Sequence, residues 1–549
     1  MIRQVSVSLA VTAMAATLAS QSFGVPLAPG AISQQNLTVA HDAGTGAYLV
    51  ASEDNWIQSG LGFINSLDAV LIDPATGSSR LIANIASEQR LHGVPPFGAK
   101  HRVGNIKQRR SFVVVWQDAA GSLRARSVDA VTGAVSPRSG RSGFLVDPGL
   151  WNPSTSGWHD MSPDVGGDSV GAVDTVIVVW NTITEIKAAL LAVSATGALS
   201  KPSEVVLMSG TPQTINAPAI SRSGGESGRY LVSWQSAQRV RGVVIDRSLA
   251  VLASFSETAR AAPGQGDRLA TDGDTAGGMW LLAYGTGGNP GDVVGRTVSY
   301  FPASSQVVVG AEVNLAAEPG QDETQPTVAY AGGSYLIGYV INAGVGSMDE
   351  LHVKSVDPFT CAPCEGDFTV RKAVGLASPA IAGELSASLS PAGSRELSMM
   401  VWQERGPSPN FNEEGHGLMV PADDGVVVDL GGGCGAGGRA WAACSITGNR
   451  GFALRLTGAA PSSAAFAVLA SGTIGAGAPC GPCALVPDPS AGVVVPVATS
   501  ALGRAALEFS LPSTPSLVGQ AFYQQWLVAT GAGGCFGLDM SNSLQVELQ

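Results

Sequence analysis

Charge is scarce in this chain, and cysteine is absent before Cys361. Asp, Glu, Lys and Arg together make up 13% of the 549 residues, about half the usual share. A core without cysteine must be held by packing alone, so disulfides are excluded as a framework up to Thr360. No apolar stripe at helical spacing follows the N-terminus, which excludes long amphipathic helices. No later run is long and apolar enough to span a bilayer as a helix, which needs about 20 residues. Basic clusters are missing too: the densest is Lys107-Gln108-Arg109-Arg110, and the net charge is −12. Nucleic acid is therefore excluded as a partner, and the basic run reads as a solvated turn before a strand.

What the chain has is glycine, 70 residues of it, and hydrophobic residues at 45%. Short β-branched runs alternate with Gly, Pro, Asp and Ser clusters, the pattern of an all-β protein. Seven runs share one design: Tyr48–Ser52, Phe112–Trp116, Val176–Trp180, Tyr230–Trp234, Trp280–Tyr284, Tyr335–Tyr339 and Ser398–Trp402. Their last residues are 64, 64, 54, 50, 55 and 63 positions apart. A strand repeated at that spacing implies a repeated sheet, and the closed form of such an array is a β-propeller. Short segments upstream often open with proline, as at Pro163, Pro218, Pro326 and Pro379. Proline suits a first strand position, where its missing N–H breaks no ladder bond. Downstream, Asp129-x-x-Thr132-Gly133 and its counterpart at Asp73 read as hairpin turns, with Asp bonding nearby backbone and Gly taking positive φ. A unit of four strands follows, and seven copies predict about seven blades over residues 33–429. Asn36–Ala40 is placed to complete a ring with the last blade.

Arg3 and the apolar stretch Val5–Ala19 read as an export signal over residues 1–24. The expected location is secreted, periplasmic or at the cell surface. The array stops after Asp429, and Gly431–Gly438 marks a boundary. Residues 431–549 have the length of one β-sandwich. The segments Val497–Leu507, Leu511–Gly519, Phe522–Trp526 and Ser541–Val546 resemble a C-terminal β-rich module found on many secreted bacterial proteins. The resemblance is best over Val494–Leu548 and looser from Gly431. It implies an accessory or surface module and brings no catalytic residues with it.

The chemistry-bearing candidates are few. Gly167-Asp168-Ser169-Val170-Gly171 has the letters of a nucleophile elbow, but a Gly-rich turn precedes it and a strand follows, where an elbow needs strand then helix. Cys480-Gly-Pro-Cys483 has the letters of a redox pair, which needs a helix N-terminus. Pro487 and Pro489 stand in the way of a helix. Cys361, Cys364, Cys434, Cys444, Cys480, Cys483 and Cys535 are disulfide candidates, pairing within the two C-x-x-C units or between them and the others. An odd count leaves one unpaired. Leu511-Pro-Ser-Thr-Pro515 lacks the rest of a sortase signal and reads as a loop. His159 and Asp160, and Glu413, Glu414 and His416, are the best polar clusters and the candidate ligand-binding residues, expected on blade-connecting loops. The aromatic run ends are expected in the core, and Gln117, Asn181, Gln235 and Gln403, which follow four of them, are candidates for a polar ring. No cofactor or metal site is expected. The function predicted is an exported binding protein for a glycan or protein ligand. The alternatives are a secreted hydrolase with acidic residues in the propeller pocket and a structural envelope component.

Overall fold

A computed structural model describes residues 22–548 apart from short stretches, the longest at 90–100, 259–268, 343–349, 373–381, 389–396, 406–412 and 444–451. The architecture is all-β. Each of the seven aromatic runs falls on the second strand of an antiparallel set, paired on one side with a proline-led or polar first strand and on the other with a third strand. Five runs have a sheet of their own, and the first and last share one. The pattern arises because these runs are apolar at nearly every position, with serine only at Ser52, Ser233 and Ser398. Val176–Trp180 is buried throughout, which requires neighbours on both faces of the sheet.

The first strands are Ala31–Asp42, His101–Ile106, Asp164–Gly166, Ala219–Ile220, Ala270–Gly273, Asp322–Ala331 and Ala382–Ser388. Each packs against the next in chain order, and Ala382–Ser388 also packs against Ala31–Asp42, so the set closes on itself as a β-propeller. The expected role of Asn36–Ala40 is thus fulfilled by a first strand that closes the ring through this contact. Along the axis the approach is tight: a Cβ at Gly104 would lie 2.3 Å from Val165 Cγ1. Between sheets the aromatic strands fill the core. Trp180, Trp280, Tyr48, Tyr230, Tyr284, Tyr335 and Tyr339 are all fully buried. The Thr-Gly turn at Asp129 forms as expected, and residues 74–77 of its counterpart at Asp73 lie outside the described residues. Asp129 Oδ1 accepts from Val131 N, Thr132 N and Thr132 Oγ1, and Gly133 has φ 66°. The basic run at Lys107–Arg109 is a 3-10 turn before a strand, with Arg109 Nη2 2.7 Å from Asp174 Oδ2.

Val427–Gly431 pairs with Ser543–Glu547, a strand of the C-terminal part. Ser22–Gly24 pairs with His416–Leu418. The Gly-rich stretch is no free linker. Cys434 bridges Met540, Ala436 N donates to Asp539 Oδ2, and Ala440 N donates to Asn542 Oδ1.

In the C-terminal part, a sheet built on Ala464–Ala470, Gly492–Ala498 and Ala521–Ala529 meets a second of Arg439–Ala443, Phe452–Thr457 and Ala505–Phe509. Phe452, Leu454, Leu456, Trp526, Val528 and Val546 form their common core. This part docks on the propeller through a buried ion pair. Arg455 Nη2 lies 3.1 Å from Asp357 Oδ2, both side chains under 10% exposed. Arg504 also sits over the Phe301 ring at 5.0 Å.

Cys480–Cys483 do not pair with each other. They end the two strands of a hairpin, not a helix. The bonds are Cys434–Cys483 and Cys480–Cys535, each with Cα–Cα 5.1 Å, within the range a disulfide requires. Cys361, a disulfide candidate, is a free thiol buried in the propeller core. Cys364 and Cys444 lie outside the described residues.

Two outcomes are expected. Peptide mapping without reduction yields Cys434–Cys483 and Cys480–Cys535 crosslinks; a Cys480–Cys483 peptide would contradict the fold. Gly104→Ala lowers stability by about 1–3 kcal/mol through overpacking in urea unfolding. Gly278→Ala, with nothing within 4 Å of its added Cβ, avoids that clash.

Candidate functional site

First strands of neighbouring repeats begin at the same end of the axis, and their side chains converge there. Arg102 Nε lies 3.6 Å from Asp164 Oδ1. Asp164 Oδ2 accepts from Ile220 N at 2.9 Å. One carboxylate thus joins three consecutive repeats. Next to Arg102, His101 is fully buried and reaches one repeat earlier, with Nε2 3.2 Å from Ala51 O. Arg102, Ser162, Pro163, Asp164, Pro218 and Leu269 line a pocket of about 30 Å³ at this mouth, room for a small polar group. The prolines come from the strand starts that the sequence marks. Arg102 and Asp164 were not singled out in the sequence, where neither stands in a motif; only the Pro163-Asp164 strand start points to the place.

The expected polar ring takes another form. Gln117 Oε1 accepts from Met161 N at 3.1 Å, and Asn181 Oδ1 accepts from Ser162 N at 2.8 Å. These side chains hold the segment entering the third repeat. They do not line an open channel. Gln235 is buried.

Glu413, Glu414 and His416 were expected on a loop. They lie on the strand Glu413–Pro421, where alternation of the ladder runs through all three. His416 stands directly opposite Trp402, and Glu414 opposite Glu404. The preceding repeat has the same arrangement: His352 opposite Tyr339 and Glu350 opposite Ile341. There His352 Nε2 is 2.9 Å from Glu350 Oε2, and the imidazole stacks on Tyr339 at 5.5 Å. Trp116 faces Arg124, Trp180 faces Lys187 and Trp234 faces Arg241 in the same register. His416 therefore occupies the strand register of His352, Arg124, Lys187 and Arg241, opposite the terminal aromatic of its repeat. Among the described residues no three of His, Cys, Asp and Glu come together as a metal site. His159 and Asp160 lie outside the described residues.

The opposite end of the first strands is sewn by backbone. Asp168 N donates to Asn105 O, Lys107 N to Asp168 O, and Gly167 N to Arg222 O. In the elbow-like segment Gly167 and Asp168 form isolated bridges with Ser223 and Ile106, the Asp168 carboxylate accepts from Val170 N and Val173 N, and Ser169 lies outside the described residues. Asp272 continues the series: Oδ1 accepts from Arg222 N at 3.0 Å and Gly273 N at 2.8 Å, and Oδ2 from Tyr330 N at 2.8 Å. Burial pushes this carboxyl up to about 6, against the pull of its N–H donors and Arg222. His41, buried beside Tyr48 with ring centroids 4.8 Å apart, is lowered to about 3 by desolvation.

No family model matches the chain, and no curated protein does. Among solved structures, the chain is similar to a protein of Lactobacillus plantarum at 11% identity, over 68% of this chain and 95% of that one, with a TM-score of 0.36. It is similar to Aleuria aurantia lectin, solved with α-methyl-L-fucoside, at 12% identity over 63% and 95%, TM-score 0.35. It is also similar to the periplasmic gluconolactonase PpgL of Pseudomonas aeruginosa at 14% identity over 67% and 95%, TM-score 0.37. At these values no ligand and no reaction carries over to this chain.

The Asp272 carboxyl yields a pH prediction. The folded group holds its proton more tightly than an unfolded Asp near 3.8, so its contribution is full below that value and is lost as pH rises to about 6. Wild type should lose about 2 kcal/mol relative to Asp272→Asn between pH 4 and pH 7, read by urea unfolding at both. His41 acts in the other direction, losing its contribution as pH falls below about 6.5 toward 3. A wild-type-minus-variant gap that does not move with pH would contradict the assignment to Asp272.

Proposed function

We propose that the chain is an exported binding protein whose ligand is engaged at the end of the propeller where the first strands begin. The observation that carries the reading is the axial pocket, small, built by consecutive repeats and edged by the Arg102–Asp164 pair. A pocket of this size suits one protruding group of a glycan or protein ligand. The acids described near this end are already engaged. Asp164 is held by Arg102 and Ile220 N, Asp118 by Arg124 and Ser122 N. Neither is poised as a free acid or base, which favours binding over hydrolysis. On this reading the array has seven blades, the C-terminal part is a β-sandwich accessory module, and an N-terminal signal directs export.

The test is a glycan array and a polysaccharide-hydrolysis screen on the full chain lacking only residues 1–21, with Arg102→Ala alongside. Retention without sugar release is expected, weakened at least tenfold in Arg102→Ala while its unfolding midpoint stays close to wild type. Sugar release by the wild-type chain would overturn the binding reading.

A further inference from the structure

The position opposite the terminal aromatic is completed by an acid of the chain in three described repeats. Arg124 has Asp118. Lys187 has Asp147 and Glu204. His352 has Glu350. In the repeat of Tyr284 that position is Val294, and Arg296, two residues along the strand, reaches Tyr284 Oη with Nε at 2.9 Å and is paired with Glu312. The repeat of Arg229–Ser236 departs from this. Trp234, Arg241 and Ser256 lie directly opposite one another across three strands, on one face of the sheet. Trp234 Nε1 and Arg241 Nε are both buried, and neither has a hydrogen-bond partner among the described residues. Trp116 and Trp280 also leave Nε1 unpartnered, so the indole alone says little. The half-buried guanidinium is what needs an anion.

The preceding repeat shows what this donor pair takes. There Asp147 Oδ2 accepts from Trp180 Nε1 at 3.2 Å and from Lys187 Nζ at 3.5 Å. Asp147 ends Phe144–Asp147, the outer strand of the sheet before it. Trp234 packs on its own preceding sheet in the same manner, in a cluster with Ile186, Leu207 and Met208. That sheet's outer strand ends Leu207-Met208-Ser209, and residues 205–225 hold no Asp or Glu.

We propose that Trp234 Nε1 and the Arg241 guanidinium form a receptor for one carboxylate of a small ligand, in the place that Asp147 fills one repeat earlier. Arg239, exposed and two positions along on the same face, donates Nη1 to Ser256 Oγ at 3.3 Å and adds a second cation at the rim. The chain's net charge of −12 opposes a polyanion. The ligand class is therefore a monocarboxylate on an otherwise neutral body. This site is separate from the axial pocket and does not rest on it.

Calorimetry and thermal melts at fixed ionic strength would use sodium acetate and sodium D-glucuronate, with sodium chloride and methyl glucoside as controls. Both carboxylates are expected to bind wild type and Arg102→Ala equally, and the controls are not. Arg241→Gln should weaken binding at least tenfold. Ser256→Asp, which sets a carboxylate of the chain opposite Arg241, should abolish it and raise the midpoint, and it decides the matter if Arg241→Gln does not fold. Equal carboxylate binding in wild type and Ser256→Asp, or equal response to chloride and acetate, would overturn the proposal. A loss in Arg102→Ala alone would place the binding at the axial mouth instead.

Discussion

Everything in the propeller depends on the contact between Ala31–Asp42 and Ala382–Ser388, where the two ends of the repeat array meet. A row of sheets stacked face to face leaves an apolar face bare at each end. Val39, Tyr48, Val50, Val70 and Ile72 of the first repeat are covered by Met399 and Val401 of the last. Burial of this kind is worth about 25 cal/mol per Å² of apolar surface. Closure thus removes the only two faces that would otherwise remain exposed to water.

Closure also brings seven short strands toward one axis, and polar groups there need partners. The chain meets the need with hydrogen bonds between repeats. Asp164 serves Arg102 and Ile220, and Asp272 serves Arg222 and Tyr330. Each such carboxylate ties three consecutive repeats. An amide hydrogen bond contributes about 1 kcal/mol net, but leaving a buried donor unmade costs more. These acids therefore act on register as much as on stability. The raised Asp272 carboxyl is the electrostatic cost of placing one fully inside.

The C-terminal part is tied to the ring by the same physics. Arg455 bridges Asp357 of the propeller and Glu508 of its own sheet. Breaking a buried pair leaves an uncompensated charge, at a cost of about 3–5 kcal/mol, so this contact discriminates strongly between docked and undocked arrangements. Beside it, Cys361 N donates to Asp357 O, and the Cys361 thiol is packed into the core.

The sequence by itself determined the strands. Runs such as Phe112–Trp116 and Val176–Trp180 are too uniformly apolar and β-branched to lie anywhere but between two other sheets, and Asp129-x-x-Thr-Gly133 carries its turn in its own hydrogen bonds. These are local facts, fixed by residues a few positions apart. Tertiary structure alone decided what the polar residues do. Glu414 and His416 look like a loop cluster until the ladder sets them in the register of Glu350 and His352. Cys480 and Cys483 look like a pair until the hairpin brings Cys535 and Cys434 to them. Arg102 meets Asp164, and Arg241 lacks, among the described residues, the acid that Lys187 has, because sheets distant in sequence are stacked in space. Side-chain charge is read by neighbours, and in a repeat array the neighbours that matter lie a whole repeat away.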